Sequence, residues 1–307
     1  MPRWPYAGRV TSTQPASRVP IGATGLVLGG LLCQEVGASF AVLLFPTVGA
    51  LGMVTLRLVF SAIVLLLICR PRLRGYSRSD WLTVAAFGLV LAGMNALFYE
   101  ALARLPLGPA VTIEVLGPLL LSVIVSRRAS SWLWAVLAFI GVALLSRGGL
   151  EALDPIGVLF AAGAGALWAG YILMSARTGA RFPKLDGLAI AMSIGALVTL
   201  PLGLGTAGST LFSPTILLLG LAVAVLSSAI PYALELLALR RLAASTFSIL
   251  MSLAPAMAAI VGALVLGQGL TLVSGLAILL VVVASAGAVR SASVHARKQA
   301  GLAEPVA

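Results

Sequence analysis

From its amino end, the chain alternates long apolar stretches with short polar breaks. After a Pro-, Ser-, Thr- and Arg-rich opening over residues 1–20, ten apolar runs follow: 21–43, 47–69, 81–101, 107–126, 131–147, 155–175, 187–206, 214–236, 243–266 and 270–289. A helix needs about 17–25 such residues to cross a hydrocarbon core of roughly 30 Å. The pattern therefore predicts an all-α integral membrane protein with ten transmembrane helices. Breaks such as Phe45-Pro46 and Gly267-Gln268-Gly269 are so short that consecutive helices should be antiparallel neighbours. The first run is too long for a signal-peptide core, carries Glu35 and lacks a clear cleavage site, so it is expected to be retained. Residues 1–20 are expected to be a disordered tail and 290–307 a second polar tail.

Composition points the same way. Of 307 residues, 60% are hydrophobic and 9% charged, against roughly 25% charged in soluble chains. The mean hydropathy is +1.11, so apolar side chains must face lipid as well as one another. Cys33 and Cys69 both fall in apolar runs and form neither a disulfide framework nor a CxxC spacing.

The net charge of +11 would suit nucleic acid if the basic residues made one stripe, but they sit between the apolar runs. With the amino end inside, the cytoplasmic segments hold Arg3, Arg9, Arg18, Arg70, Arg72, Arg74, Arg78, Arg127, Arg128, Arg177, Arg181, Lys184, Arg240, Arg241, Arg290, Arg297 and Lys298. The other side holds only Arg104 and Arg147, and Arg57 lies within a helix. This positive-inside bias predicts both termini in the cytoplasm, an even helix count, a lipid bilayer as partner and no nucleic acid. Trp81, Trp132 and Trp134 fall at helix starts, where indoles favour the interface.

An internal repeat is visible. ALARLPLGPAVTIEVLGP (Ala101 to Pro118) and ALRRLAASTFSILMSLAP (Ala238 to Pro255) share A-L-x-R-L and a proline fourteen residues after the arginine, at an offset of 137 residues. That offset is close to five helices, and an odd number inverts the second copy in the bilayer, a common plan of secondary transporters. The expected units are 21–147 and 148–289; chance likeness between two Ala/Leu-rich stretches is the alternative. The stretches FPTVGALGMVTLRLVF, GMNALFYEALARLPLGPAVTIEVLGPLLLSVIVSRR, GALWAGYIL and IPYALELLALRRLAASTFSILMSLAPAMAAIVGALVLGQGLT occur in order between residues 30 and 285. In these the chain resembles the drug/metabolite transporter superfamily, and within it the EamA-type ten-helix members of the threonine/homoserine exporter group. The resemblance implies two five-helix repeats, a bacterial inner-membrane location and efflux of small amino-acid-like metabolites driven by the proton gradient. One departure is Gly267-Gln268, where many members carry Gly-Glu.

Ionisable groups inside a bilayer are costly and are functional candidates by default. Three qualify: Glu35, Arg57 and Glu114. At 1.5 Å per residue they lie about 21 Å, 15 Å and 10 Å from the ends of their helices, close to one depth. One carboxylate can neutralise Arg57, leaving the other for a proton or a substrate ammonium; a purely structural ion pair is the alternative. Pro118 has no N–H for the carbonyl of Glu114, and Pro255 none for that of Met251. The expectation is two bent helices with unpaired carbonyls around a polar pocket between helices three, four, eight and nine, or else two structural kinks. Asn95, Tyr99, Tyr232, Ser248 and Ser252 on these helices are candidate hydrogen-bonding groups for substrate. Glu100 with Arg104, and Glu235 with Arg240 and Arg241, fall near helix ends as interfacial anchors or gate pairs. Gly163, Gly165 and Gly170 suit close helix packing.

No enzymatic reading survives. The single histidine, His295, lies in the polar tail, and no HExxH, GxSxG, P-loop or Rossmann pattern occurs. No metal cluster or cofactor is indicated. Together with the buried acids, the resemblance implies a proton-coupled exporter with an amino-acid-like metabolite and protons as partners. An importer or exchanger of another metabolite, drug or nucleotide-linked sugar, and a non-transporting scaffold, remain as alternatives.

Overall fold

The computed structural model describes residues 21–126, 129–145, 153–183, 185–239, 241–242 and 244–302. The amino-terminal stretch, Arg127, Arg128, Arg147, Lys184 and Arg240 lie outside these, as do the side chains of Tyr232 and His295. Among the described residues every regular element is helical.

Helix α1 (Ile21–Cys69) accounts for the first two runs. Straight, its length would be about 74 Å, more than twice a bilayer core. It is broken at Gly49, with φ 71° and ψ 166°, a region essentially confined to glycine. The reversal thus falls at Gly49, three residues beyond the expected Phe45-Pro46 corner. Pro46 stays in the last turn of the first arm and costs that arm only one backbone bond.

The next three runs form α2 (Arg78–Leu102), α3 (Leu107–Glu114) with α4 (Leu116–Ser126), and α5 (Ala129–Leu145). Ser77 and Asp80 close a reciprocal cap at the start of α2. The fourth run is interrupted at Val115. The second half holds α6 (Pro155–Gly179), begun by Asp154 and Pro155, and α7 (Asp186–Ala207). After a 3₁₀ turn at Gly208–Phe212 come α8 (Pro214–Ala224), a π-turn at Val225–Ala229 and α9 (Ile230–Leu239) as one crossing. Then α10 (Ala244–Met251) and α11 (Ala254–Leu266) share another, interrupted at Ser252-Leu253, and α12 (Leu272–Leu302) is last.

Counting the two arms of α1, these make ten apolar crossings. Within the polar tail expected from residue 290, the chain continues α12 as helix to Leu302. Its Ala, Arg, Lys and Gln residues are good helix formers, and the Trp134 indole N–H donates to Ser291 at 3.1 Å.

Helix α1 packs along α7 and the α8–α9 crossing, α2 along α6 and α7, and α5 along α12. Side chains such as Leu67, Leu218 and Leu264 stay exposed on the outer face, where lipid replaces water as their solvent. Inside, glycines bring backbones together: a Cβ on Gly117 would overlap the Gly165 carbonyl, so α4 meets α6 backbone to backbone.

Candidate substrate cavity

A cavity of about 190 Å³ lies within the bundle. It is lined by Gln34, Glu35, Ala38 and Arg57 of α1, Met94, Asn95 and Phe98 of α2, Glu114 of α3, Trp168 and Tyr171 of α6, Glu235 of α9 and Met251 of α10. Three carboxylates and one guanidinium therefore share a small interior space.

Two of these residues are placed by helix breaks. Glu114 is the last residue of α3 and Met251 the last of α10, and they are separated by the same 137 residues that separate the two sequence motifs. The break turns each side chain inward. The Glu114 carbonyl, left unpaired by Pro118, does not point to ligand space as expected: it packs on α6, where a Cβ at Gly165 would lie 2.5 Å from it.

A different proline supplies the interior carbonyl. Pro231 has no N–H for the carbonyl of Ser227, four residues earlier in the α8–α9 crossing. Arg57 Nη2 donates to that oxygen at 3.2 Å. Arg57 also reaches the Ser228 hydroxyl at 3.5 Å and the Tyr99 hydroxyl at 3.4 Å, and its guanidinium lies 5.6 Å from the Tyr99 ring centre. The π-turn at Val225–Ala229 presents both serines to it, while Gly37 lets α1 approach Ser227 closely. These neutral groups hold the guanidinium in the same cavity as Glu35 and Glu114, and its charge acts on both carboxyls.

Glu35 and Glu114 are both buried, and their carboxylates meet no hydrogen-bond donor among the described residues. Asn95 donates its amide N–H to the Leu91 carbonyl at 2.9 Å, which leaves its side-chain oxygen for a ligand.

The remaining expected site residues lie elsewhere. Tyr99 is fully buried behind Arg57. Pro118 and Pro255 shape the breaks without lining the cavity. Ser252 donates to the Ile249 carbonyl at 2.5 Å, and Ser248 is not part of the wall. Glu100 and Arg104 pair with each other at 2.5 Å, with Arg104 over the Phe160 ring. Arg241 is exposed at the end of its crossing, while Glu235 lies in the cavity wall instead of pairing with it at the interface. Gln268, at the departure from the usual Gly-Glu, accepts from the Leu107 N–H at 2.9 Å and so caps α3.

Sequence reasoning did not single out Gln34, Met94, Phe98, Trp168 or Tyr171. Only Gln34, a half-buried amide beside Glu35, carries a recognisable signal.

With this geometry in view, the likeness to known proteins is informative. Residues 155–290 match the EamA-like transporter family. The threonine/homoserine exporter RhtA of Salmonella typhimurium (strain SL1344) is 42% identical over 253 residues, covering 82% of this chain and 85% of its own. The chain belongs to the EamA-like transporter family. RhtA of Escherichia coli (strain K12) is 40% identical over 264 residues, covering 85% of this chain and 89% of its own. A crystal structure with 19% identity covers 92% of this chain and 99% of its own at a TM-score of 0.55, a likeness of fold. This EamA-like protein is a membrane transporter and not an enzyme.

Proposed function

We propose that the protein exports small amino acids of the threonine and homoserine type across a bacterial inner membrane in exchange for protons. One observation carries the chemistry: two buried carboxylates, Glu35 and Glu114, share one cavity with Arg57, whose guanidinium is positioned by Ser227, Ser228 and Tyr99. An α-amino acid brings a carboxylate for Arg57 and an ammonium for Glu114. When it leaves, the carboxylate takes a proton instead, so cargo and proton compete for one group. The 40–42% identity to threonine/homoserine exporters supports the substrate class. The volume supports it too, since about 190 Å³ is below the roughly 300–1,000 Å³ typical of drug-sized ligands.

In this reading residues 21–147 and 148–289 are two inverted repeats that rock about the cavity, with both termini in the cytoplasm. Asn95 is a further substrate-binding group, and Tyr99 a positioning one. The Glu100–Arg104 pair is a gate on the outer side.

The test is transport in proteoliposomes. The parent protein is expected to move threonine or homoserine when a pH gradient is imposed. Glu114→Gln is expected to insert normally and to lose the gradient-driven component. Gradient-driven flux at the parent rate in that variant would remove Glu114 from the mechanism. Overproduction in cells should raise tolerance to external homoserine; lowered tolerance would indicate uptake. A scaffold reading predicts that Glu114→Leu together with Arg57→Met has no effect.

A further inference from the structure

One charged group of the cavity has no part in this scheme. Glu235 is half-buried in the wall, and no hydrogen-bond or ion-pair partner for it exists among the described residues. Its position relative to the head-group site follows from helix geometry. Arg57 is anchored at Ser227 and Ser228. Glu235 lies seven residues beyond Ser228 in the same crossing, two turns further on the same face and about 10 Å along the axis. The first arm of α1 runs beside this crossing in the opposite sense. A Cβ on Gly37 would lie 2.9 Å from the Ser227 nitrogen, and one on Gly30 would lie 3.7 Å from Leu234. Glu35 is therefore level with the arginine anchor, and Glu235 lies beyond it toward the start of α1.

The cavity thus has two poles: a head-group pole with Glu35, Arg57 and Glu114, and a second pole with one carboxylate. Both poles line one cavity of about 190 Å³, so an amino acid whose head group is held at Arg57 can turn its side chain toward Glu235. Glu235 also leans back toward the anchor, because helix side chains tilt toward the amino end.

We infer that Glu235 reads the cargo's side chain, its carboxylate accepting a hydrogen bond from a β- or γ-hydroxyl while the head group lies between Arg57 and the Glu35–Glu114 pair. The inference rests on the amino-acid export reading and adds the residue that selects a hydroxylated side chain over an apolar one of equal size. A site built around a polar partner rejects the analogue lacking it, because the buried group is then left unpaired.

The experiment compares threonine with valine, which replaces the hydroxyl by a methyl group. Both compete against labelled threonine in proteoliposomes. For the parent, valine is expected to need at least about tenfold more than threonine for half-inhibition. In Glu235→Leu that difference is expected to collapse to about twofold or less, whereas Glu235→Gln, which keeps an acceptor oxygen, should retain most of it. Glu235→Ala reads the same ratio, so a folding failure of one variant leaves the test intact. A purely structural role would lower both competitors' apparent affinity together and leave their ratio unchanged. Equal competition by valine in the parent, or an unchanged ratio in the Leu and Ala variants, overturns the inference while leaving export of amino acids standing. A parent protein that moves neither threonine nor homoserine overturns both.

Discussion

Arg57 is positioned by a carbonyl, two hydroxyls and a ring face. The cradle depends on Pro231, because an ordinary residue there would offer its own N–H to the Ser227 carbonyl and compete with the guanidinium. Pro231→Ala is therefore expected to slow transport several-fold without lowering the unfolding temperature in detergent, since a helix-interior proline is itself unfavourable. Parent-like flux in that variant would show that the carbonyl is not what holds Arg57. Arg57→Lys keeps the charge and loses the planar fork, and should cost about tenfold or more in transport rate, as expected for lost charge-assisted hydrogen bonds. Both effects are read in proteoliposomes at matched protein content.

The helices themselves were largely legible. Hydropathy located all ten crossings, and α7 (Asp186–Ala207) differs from its expected span by one residue at each end. What hydropathy does not encode is backbone geometry. Pro46 drew the first reversal toward itself, while the positive φ of Gly49 leaves no mark in a Gly-rich stretch. Gly49→Ala is expected to cost about 1–3 kcal/mol. Gly117→Ala, which would force a methyl into the backbone of Gly165, should cost a similar 1–3 kcal/mol or more by overpacking. Thermal unfolding in detergent measures both. Gln268→Ala removes the acceptor at the start of α3 and should cost about 1 kcal/mol. Gln268→Glu should keep the cap, since a carboxylate suits a helix amino terminus; a large loss in that variant would argue against the capping role. Within the site, Glu35, Arg57 and Glu114 stood out because charge is rare inside apolar runs. Glu235 was set at a helix end because only the run boundary fixed its depth. Trp168 and Tyr171 have the same residue types as lipid-facing belts, and only packing tells them apart.

At the scale of the whole molecule, basic residues of the described loops, such as Arg70, Arg72, Arg74 and Arg181, lie at the same ends of their crossings, with Arg181 bound to Ser79 and Asp80 across two loops. Single cysteines at Arg72 and at Gly208 are expected to label from opposite sides of intact cells with an impermeant thiol reagent, the second from outside. Reversed labelling would invert the direction of every step proposed above. The last helix adds a practical corollary. With 31 residues, α12 is about 46 Å long, some 15 Å more than the hydrocarbon it crosses. A helix of that length extends past the hydrocarbon, so a fluorescent reporter attached after it should leave the conduit unobstructed.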